Sequence, residues 1–189
     1  MIATKIKRII LAETSIFSTD ITDAASAKTV INAAISAVGT TAEDVTNVHG
    51  ETWQITESEA SMNSYKNELD NSVYRRDLTP GDLSIQFTMG DYSEKMKAAL
   101  RGGSTITKGG TDTDKDTVIG YKGDSAGLTI KKAMFCLTQD GYWFIYPKAT
   151  IAANTTETDN AAALAVKGYP EKPSATLSTE YNINSALIV

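Results

Sequence analysis

The sequence predicts an α+β fold that is mostly antiparallel β, with one or two helices flanking the sheet. Three observations carry that expectation. Leu83, Ile85, Phe87 and Met89 alternate with Ser84, Gln86 and Thr88, the period-two pattern of a strand with one buried face. Gln139-Asp140-Gly141 separates two β-prone runs, LTIKKAMFCLT (128–138) and YWFIY (142–146), which reads as a hairpin. Only two stretches carry helical periodicity, and everything else between turn signals is short.

In chain order, residues 1–20 are expected as an N-terminal arm. Its apolar stretch Ile9-Ile10-Leu11-Ala12 ends at Glu13, short of the roughly 7–15 apolar residues of a secretory leader. A helix follows over 24–38, with Ile31, Ile35 and Val38 on one face beside Ala27 and Ala34. Thr22 or Asp23 caps its start and Gly39 supplies a left-handed stop. Residues 51–58 alternate weakly, with Trp53 and Ile55 on one face. Residues 61–72, SMNSYKNELDNS, are polar without a period and read as a long mobile loop.

After the strand at 83–89, a second helix is predicted over 92–101. Asp91 precedes Glu94 by three residues, as in a capping box, and Gly102-Gly103 ends the helix. Its apolar face is Tyr92, Met96, Ala99 and Leu100. Residues 102–116 read as a second mobile loop rich in Gly, Thr and Asp. Two final strands, 161–167 and 173–183, are expected to join through a turn at Gly168-Tyr169-Pro170. Nothing marks a second domain, so residues 1–189 are taken as one.

The composition narrows the function. The net charge is -5, and the only basic cluster, Lys5, Lys7 and Arg8, is interrupted by Ile6. A reader of nucleic acid would carry a basic stripe. Cys136 is the single cysteine and His49 the single histidine, so one chain cannot build an N/S-type zinc site. A Ser-His-Asp or Cys-His arrangement would have to use His49, but Cys136 lies in an alternating strand and no nucleophile-elbow sequence exists. Neither sits in a catalytic motif, and both read as structural. No run approaches the ~18 apolar residues of a membrane span.

The remaining candidate chemistry is thin. Asp112, Asp114 and Asp116 match positions 1, 3 and 5 of a calcium loop, but Thr117 takes the glycine position and Gly123 the glutamate position. A solvated acidic loop explains them better than a weak cation site. The Gly-Gly pairs at 102–103 and 109–110 lack the Gly-Lys-Ser/Thr of a phosphate cradle. Glu57 and Glu59 share one strand face, a common arrangement on any solvated sheet. Trp53, Trp143 and the tyrosines of YWFIY read as sheet core before they read as a sugar platform. No catalytic residue, cofactor or metal is expected, and the chain does not read as an enzyme.

Four stretches together resemble the tail tube (major tail) proteins of long-tailed bacteriophages. They are VHGETWQITESE leading into a polar loop; Pro80-Gly81-Asp82 followed by LSIQFTMGDYSEKMKAALRGG, where a strand runs into a short helix; the hairpin at 128–146; and ATIAANTTETDNAAALAVKGYPEKPSATLSTEYNI. The resemblance covers about residues 48–183 and rests on the order of elements. The helix at 24–38 has no match in the family pattern.

The resemblance implies a β-sandwich or barrel-like core with flanking helices. It also implies six-membered rings that stack into a tube, with sheets continuing around a channel through which DNA passes without specific binding. The partners would be further copies of the chain and other tail proteins, and the place would be the virion tail, assembled in the host cytoplasm. In the family, a loop at the place of 61–72 touches the neighbouring ring. Carried onto this chain, Lys66, Glu68 and Asp70 supply polar contacts and Met62, Tyr65 and Leu69 apolar anchors. Two other readings compete: a tube protein of a contractile injection system such as type VI secretion, and a β-sandwich module binding a carbohydrate or another partner.

Overall fold

A computed structural model describes residues 5–111, 113–124, 129–158, 160–174 and 176–187. The elements are β1 (Ile6–Ala12), α1 (Ala24–Ala37), β2 (Glu43–Val45), β3 (Gln54–Glu57), β4 (Ser61–Lys66), β5 (Val73–Thr79) and β6 (Leu83–Met89). They continue with α2 (Glu94–Arg101), β7 (Ser104–Thr107), β8 (Val118–Lys122), β9 (Ile130–Thr138), β10 (Tyr142–Thr158), β11 (Ala161–Pro170) and β12 (Tyr181–Asn184). The main sheet runs β2-β1-β9-β10-β11-β6-β3, and β12 also pairs with β10. Every pairing within it is antiparallel, so the predicted fold class holds.

The spine is β10, whose 17 residues span roughly 55 Å at about 3.3 Å each. Its first half pairs with β9 and β12, and its second half with β11. The expected end of this strand at residue 146 is therefore corrected. A bulge between Tyr146 and Ala149 takes in Pro147, which has no N–H to give a ladder, and the strand runs on.

Period two divides the core. On one face Ile9, Leu11, Met134, Cys136 and Tyr146 meet Ile85, Phe87, Leu164 and Val166. Three strands lie between β1 and β6 in the sheet order, so a shared core means the sheet curls on itself. It does not close, because β2 and β3 remain as edges. Met96 and Leu100 of α2 seal this face. On the other face Ile10, Ala12, Ala133, Phe135, Trp143 and Ile145 pack under Val30, Ile31 and Ala34 of α1.

That double burial corrects the expected N-terminal arm. Ile9, Ile10 and Leu11 are wholly buried, and β1 is paired on both sides, by β2 and β9. A continuous apolar run is what a strand covered on both faces needs. Arg8 fastens β2 with a bidentate pair to Asp44 at 2.8–3.2 Å.

Both helices stand where expected, with shifted details. Asp23 caps α1 by accepting from Ser26 N at 2.7 Å, and Ser26 Oγ accepts from Asp23 N at 3.1 Å. The buried stripe is Ala27, Val30, Ile31 and Ala34, and Ile35 sits at its margin. In α2 the cap is Ser93, accepting from Met96 N at 3.3 Å, while Asp91 accepts from Ser93 N one step upstream.

Two further expectations change. Gly168-Tyr169-Pro170 is not a turn but the end of β11, with Gly168 opposite both Ile151 and Ile85. Among the described residues of 173–183, only Tyr181 onward joins a strand. Pro173 precedes a turn closed by Leu177 N donating to Ser174 O at 3.3 Å. Tyr181 then stacks on Phe17, and Phe17 on Phe135.

Candidate functional site

Residues 61–72, expected as a loop, contain β4 and the turn that leads into β5. The two strands form a sheet of their own, apart from the main one. All six residues of β4 are exposed, and so are all of β5 but Asp77. The segment lacks an apolar period because neither face meets the core. It is a hairpin arm standing on the body of the protein.

Local chemistry holds the arm at both ends. At its root, Ser58 N donates to Asp82 O at 3.0 Å and Asp82 N to Ser58 Oγ at 2.8 Å. A Cβ on Gly81 would lie 2.6 Å from the Ser58 carbonyl carbon and closer still to its oxygen, so only glycine lets the two chains cross here. At its tip, Asn67 N donates to Ser72 O at 2.8 Å and Asn71 N to Asn67 O at 2.9 Å. Asn71 takes the left-handed region at φ 55, which asparagine tolerates. Asp70 accepts from Ser72 N at 3.0 Å and Ser72 Oγ at 2.7 Å, and these bonds hold its carboxyl below the usual carboxylate range.

The arm has two unlike faces, because residues directly opposite one another in the ladder share a side. One side joins Asn63 with Asp77 and Tyr65 with Arg75. There Arg75 lies 5.5 Å from the Tyr65 ring and pairs with Asp77 at 2.8 Å, so its charge is satisfied within the arm. The other side joins Met62 with Leu78 and Ser64 with Arg76. A bulge between Tyr65 and Lys66 brings Val73 opposite Lys66 and adds Tyr74. Met62 is 57% exposed, Tyr74 70%, Leu78 66%, and Leu69 at the tip 95%. An isolated two-stranded hairpin is marginal in water, and a contiguous exposed apolar face marks an interaction surface.

Of the six residues the sequence points to, Met62, Tyr65 and Lys66 lie on β4, and Glu68, Leu69 and Asp70 form the turn. Only Met62 and Lys66 share the apolar side; Tyr65 faces away, and the turn residues stand at the tip. Sequence reasoning misses Val73, Tyr74, Arg76 and Leu78 on the returning strand. The available signal was Asn-rich turn chemistry at 67–71 between Tyr65 and Val73-Tyr74.

The second expected loop, 102–116, is also partly a hairpin. Ser104–Thr107 pairs with Val118–Lys122, and Tyr121 Oη donates to Gly102 O at 2.8 Å, tying it to α2. Of the three aspartates, Asp112 lies outside the described residues, and Asp114 pairs with Lys108 at 2.6 Å. Among the described residues, no group of three or more His, Cys, Asp or Glu is placed to hold a metal ion.

The other candidates fall into the fold. Cys136 is fully buried on β9, and burial pushes its thiol up from the ordinary value. His49 lies at a strand edge, its N–H donating to Thr88 O at 2.8 Å. Trp143 is buried and Trp53 half-buried against the core. Among the described residues, no helix is long and apolar enough to cross a membrane. The chain matches no known family model and no curated protein sequence.

Proposed function

We propose that the chain is a structural subunit that assembles with copies of itself into stacked rings, a tube of the kind that phage tails use to pass DNA. The arm at 61–79 carries this reading. It presents Met62, Tyr74, Leu78 and Leu69 to water, with no core behind them. A self-association surface gives such residues a purpose that an isolated subunit lacks.

Magnitudes indicate how much the arm supplies. Fully burying a side chain of this size is worth about 1.5–3 kcal/mol. Four such anchors, already part-covered, come to well under ten. Association costs about 4–15 kcal/mol in lost freedom and ordering, so the arm alone is near parity. The main sheet offers the remainder. The edges β2 and β3 are short and, among the described residues, unpaired on their outer sides, and Ile55 of β3 is half-exposed. Edge pairing between copies would continue the sheet from one subunit to the next and add hydrogen bonds to apolar contact.

The net charge of -5 suits a conduit, because like charge keeps a nucleic-acid backbone from sticking. A tube of a contractile injection system would use the same surfaces. The carbohydrate-binding alternative draws less support, because Trp143 and Tyr146 are packed into the core. Sedimentation velocity of the intact chain over a hundredfold concentration range tests the proposal. Discrete species larger than a dimer are expected to grow with concentration, and a monomer throughout would refute it.

A further inference from the structure

The arm needs a receptor, and charge indicates where one lies. On its apolar side, the ladder places Arg76 and Lys66 among Met62, Leu78, Val73 and Tyr74, with no carboxylate on that side among the described residues. Arg75, the third cation, is already held on the opposite face by Asp77 and Tyr65. The side that is free to dock is therefore cationic and apolar at once.

An open cleft of about 500 Å³ between the start of α1 and β12 has the complementary character. Ile21, Ala27 and Ile183 form its apolar floor, the exposed Leu187 also lines it, and its acidic residues are Asp23 and Glu180. No lysine or arginine lines it among the described residues. Asp23 largely offsets the partial positive charge of the helix start, so Glu180, with Asp20 beneath Tyr181, sets the sign. The cleft belongs to the α1 side of the sheet, whereas the arm springs from beside β3 and β6 at the far edge. No arm residue lines the cleft of its own chain.

We infer that the cleft between α1 and β12 receives the arm of a second copy, with Met62 and Leu78 on its apolar floor and Arg76 against Glu180. This inference rests on the self-assembly proposed above and adds which two surfaces meet. Arm and cleft are different patches of one chain, so the contact is heterologous. Repeated head to tail, it closes a ring or extends a filament rather than stopping at a symmetric dimer. Arginine and tyrosine, here Arg76 and Tyr74 side by side on the arm, are residue types that interface hot spots favour.

A charge exchange tests it on the full-length chain. Arg76 and Glu180 are both exposed, so Arg76→Glu and Glu180→Arg should fold normally, which far-UV circular dichroism and melting temperature check. Each single variant is expected to raise the concentration needed for assembly by about tenfold or more, since like charges then meet. The double variant should assemble again, and so should an equimolar mixture of the two singles, where each arm finds the other's cleft. Single variants that assemble like the wild type would overturn the inference, leaving self-assembly intact. A double variant and a mixture that both stay dissociated would overturn it as well. A wild-type chain that never associates would remove the self-assembly reading itself, and with it this contact.

Discussion

Gly168 offers a sharp test of how the sheet is packed. Its backbone is extended, a conformation any residue adopts, so the whole cost of adding a methyl group is steric. A Cβ there would lie 3.2 Å from Met134 Cε, closer still to its sulfur, and 3.6 Å from Ile151 Cδ1. Met134 is fully buried and Ile151 nearly so, which leaves the thioether little room to swing away. Overpacking of this kind costs about 1–3 kcal/mol. Replacing glycine within a strand returns about 0.5–1 kcal/mol by narrowing the unfolded ensemble. Midway through both ranges, the net loss for Gly168→Ala is about 1 kcal/mol. For a domain of this size that lowers the melting temperature by roughly 2–4 °C. Calorimetry of a double-mutant cycle isolates the cause: in a Met134→Ala background the methyl group enters the vacated space, and Gly168→Ala should become neutral or stabilising. An equal loss in both backgrounds, or no loss in either, would refute the packing of Gly168 on Met134.

Two other changes probe separate joints. Glu171 is held to about 2, below its ordinary 4.5, by hydrogen bonds from Thr150, Lys131 and Lys148. A depressed carboxyl pKa gives stability that is present above pH 4.5 and lost as the pH falls towards 2. Glu171→Gln should therefore flatten the acid limb of a melting-temperature profile between those values and leave its slope near neutrality unchanged. Asp23→Ala removes the cap of α1 and should lower the midpoint of denaturant unfolding, with Asp23→Ser recovering most of the loss.

What the sequence shows and hides follows from which faces are buried. The strand at 83–89 was legible because Ile85, Phe87 and Met89 meet the core while the residues between them do not. The hairpin at 139–141 was legible because Gly141 takes φ 81, a left-handed turn conformation that glycine favours. Beyond Pro147 the inward positions of β10 are Ala149, Ile151 and Ala153, and two small side chains in three leave little alternation to see. Gly168-Tyr169-Pro170 has the residues of a turn, yet the glycine is there to clear Met134, a contact across two strands that no local pattern reveals.

The arm was hidden for a different reason. Strand patterns are read from burial, and a hairpin with both faces in water has none. Its polar residues pointed to the right place and the wrong conformation. Most of its apolar side, Val73, Tyr74 and Leu78, lay past the point where the apparent loop ended. The cleft combines residues about 160 positions apart, from Asp23 to Glu180, and was out of reach of any reading along the chain.

The central claim is that the arm holds copies of this chain together, and replacing it tests this most directly. Residues 62–78 would be exchanged for a short Gly-Ser linker, and both proteins would be imaged by negative-stain electron microscopy at matched high concentration. Because the arm buries nothing in its own core, the shortened chain should fold with a nearly unchanged melting temperature. The intact protein is expected to show rings or stacked tubes and the shortened one only single subunits. Rings of unchanged size and number from the armless protein would contradict the claim.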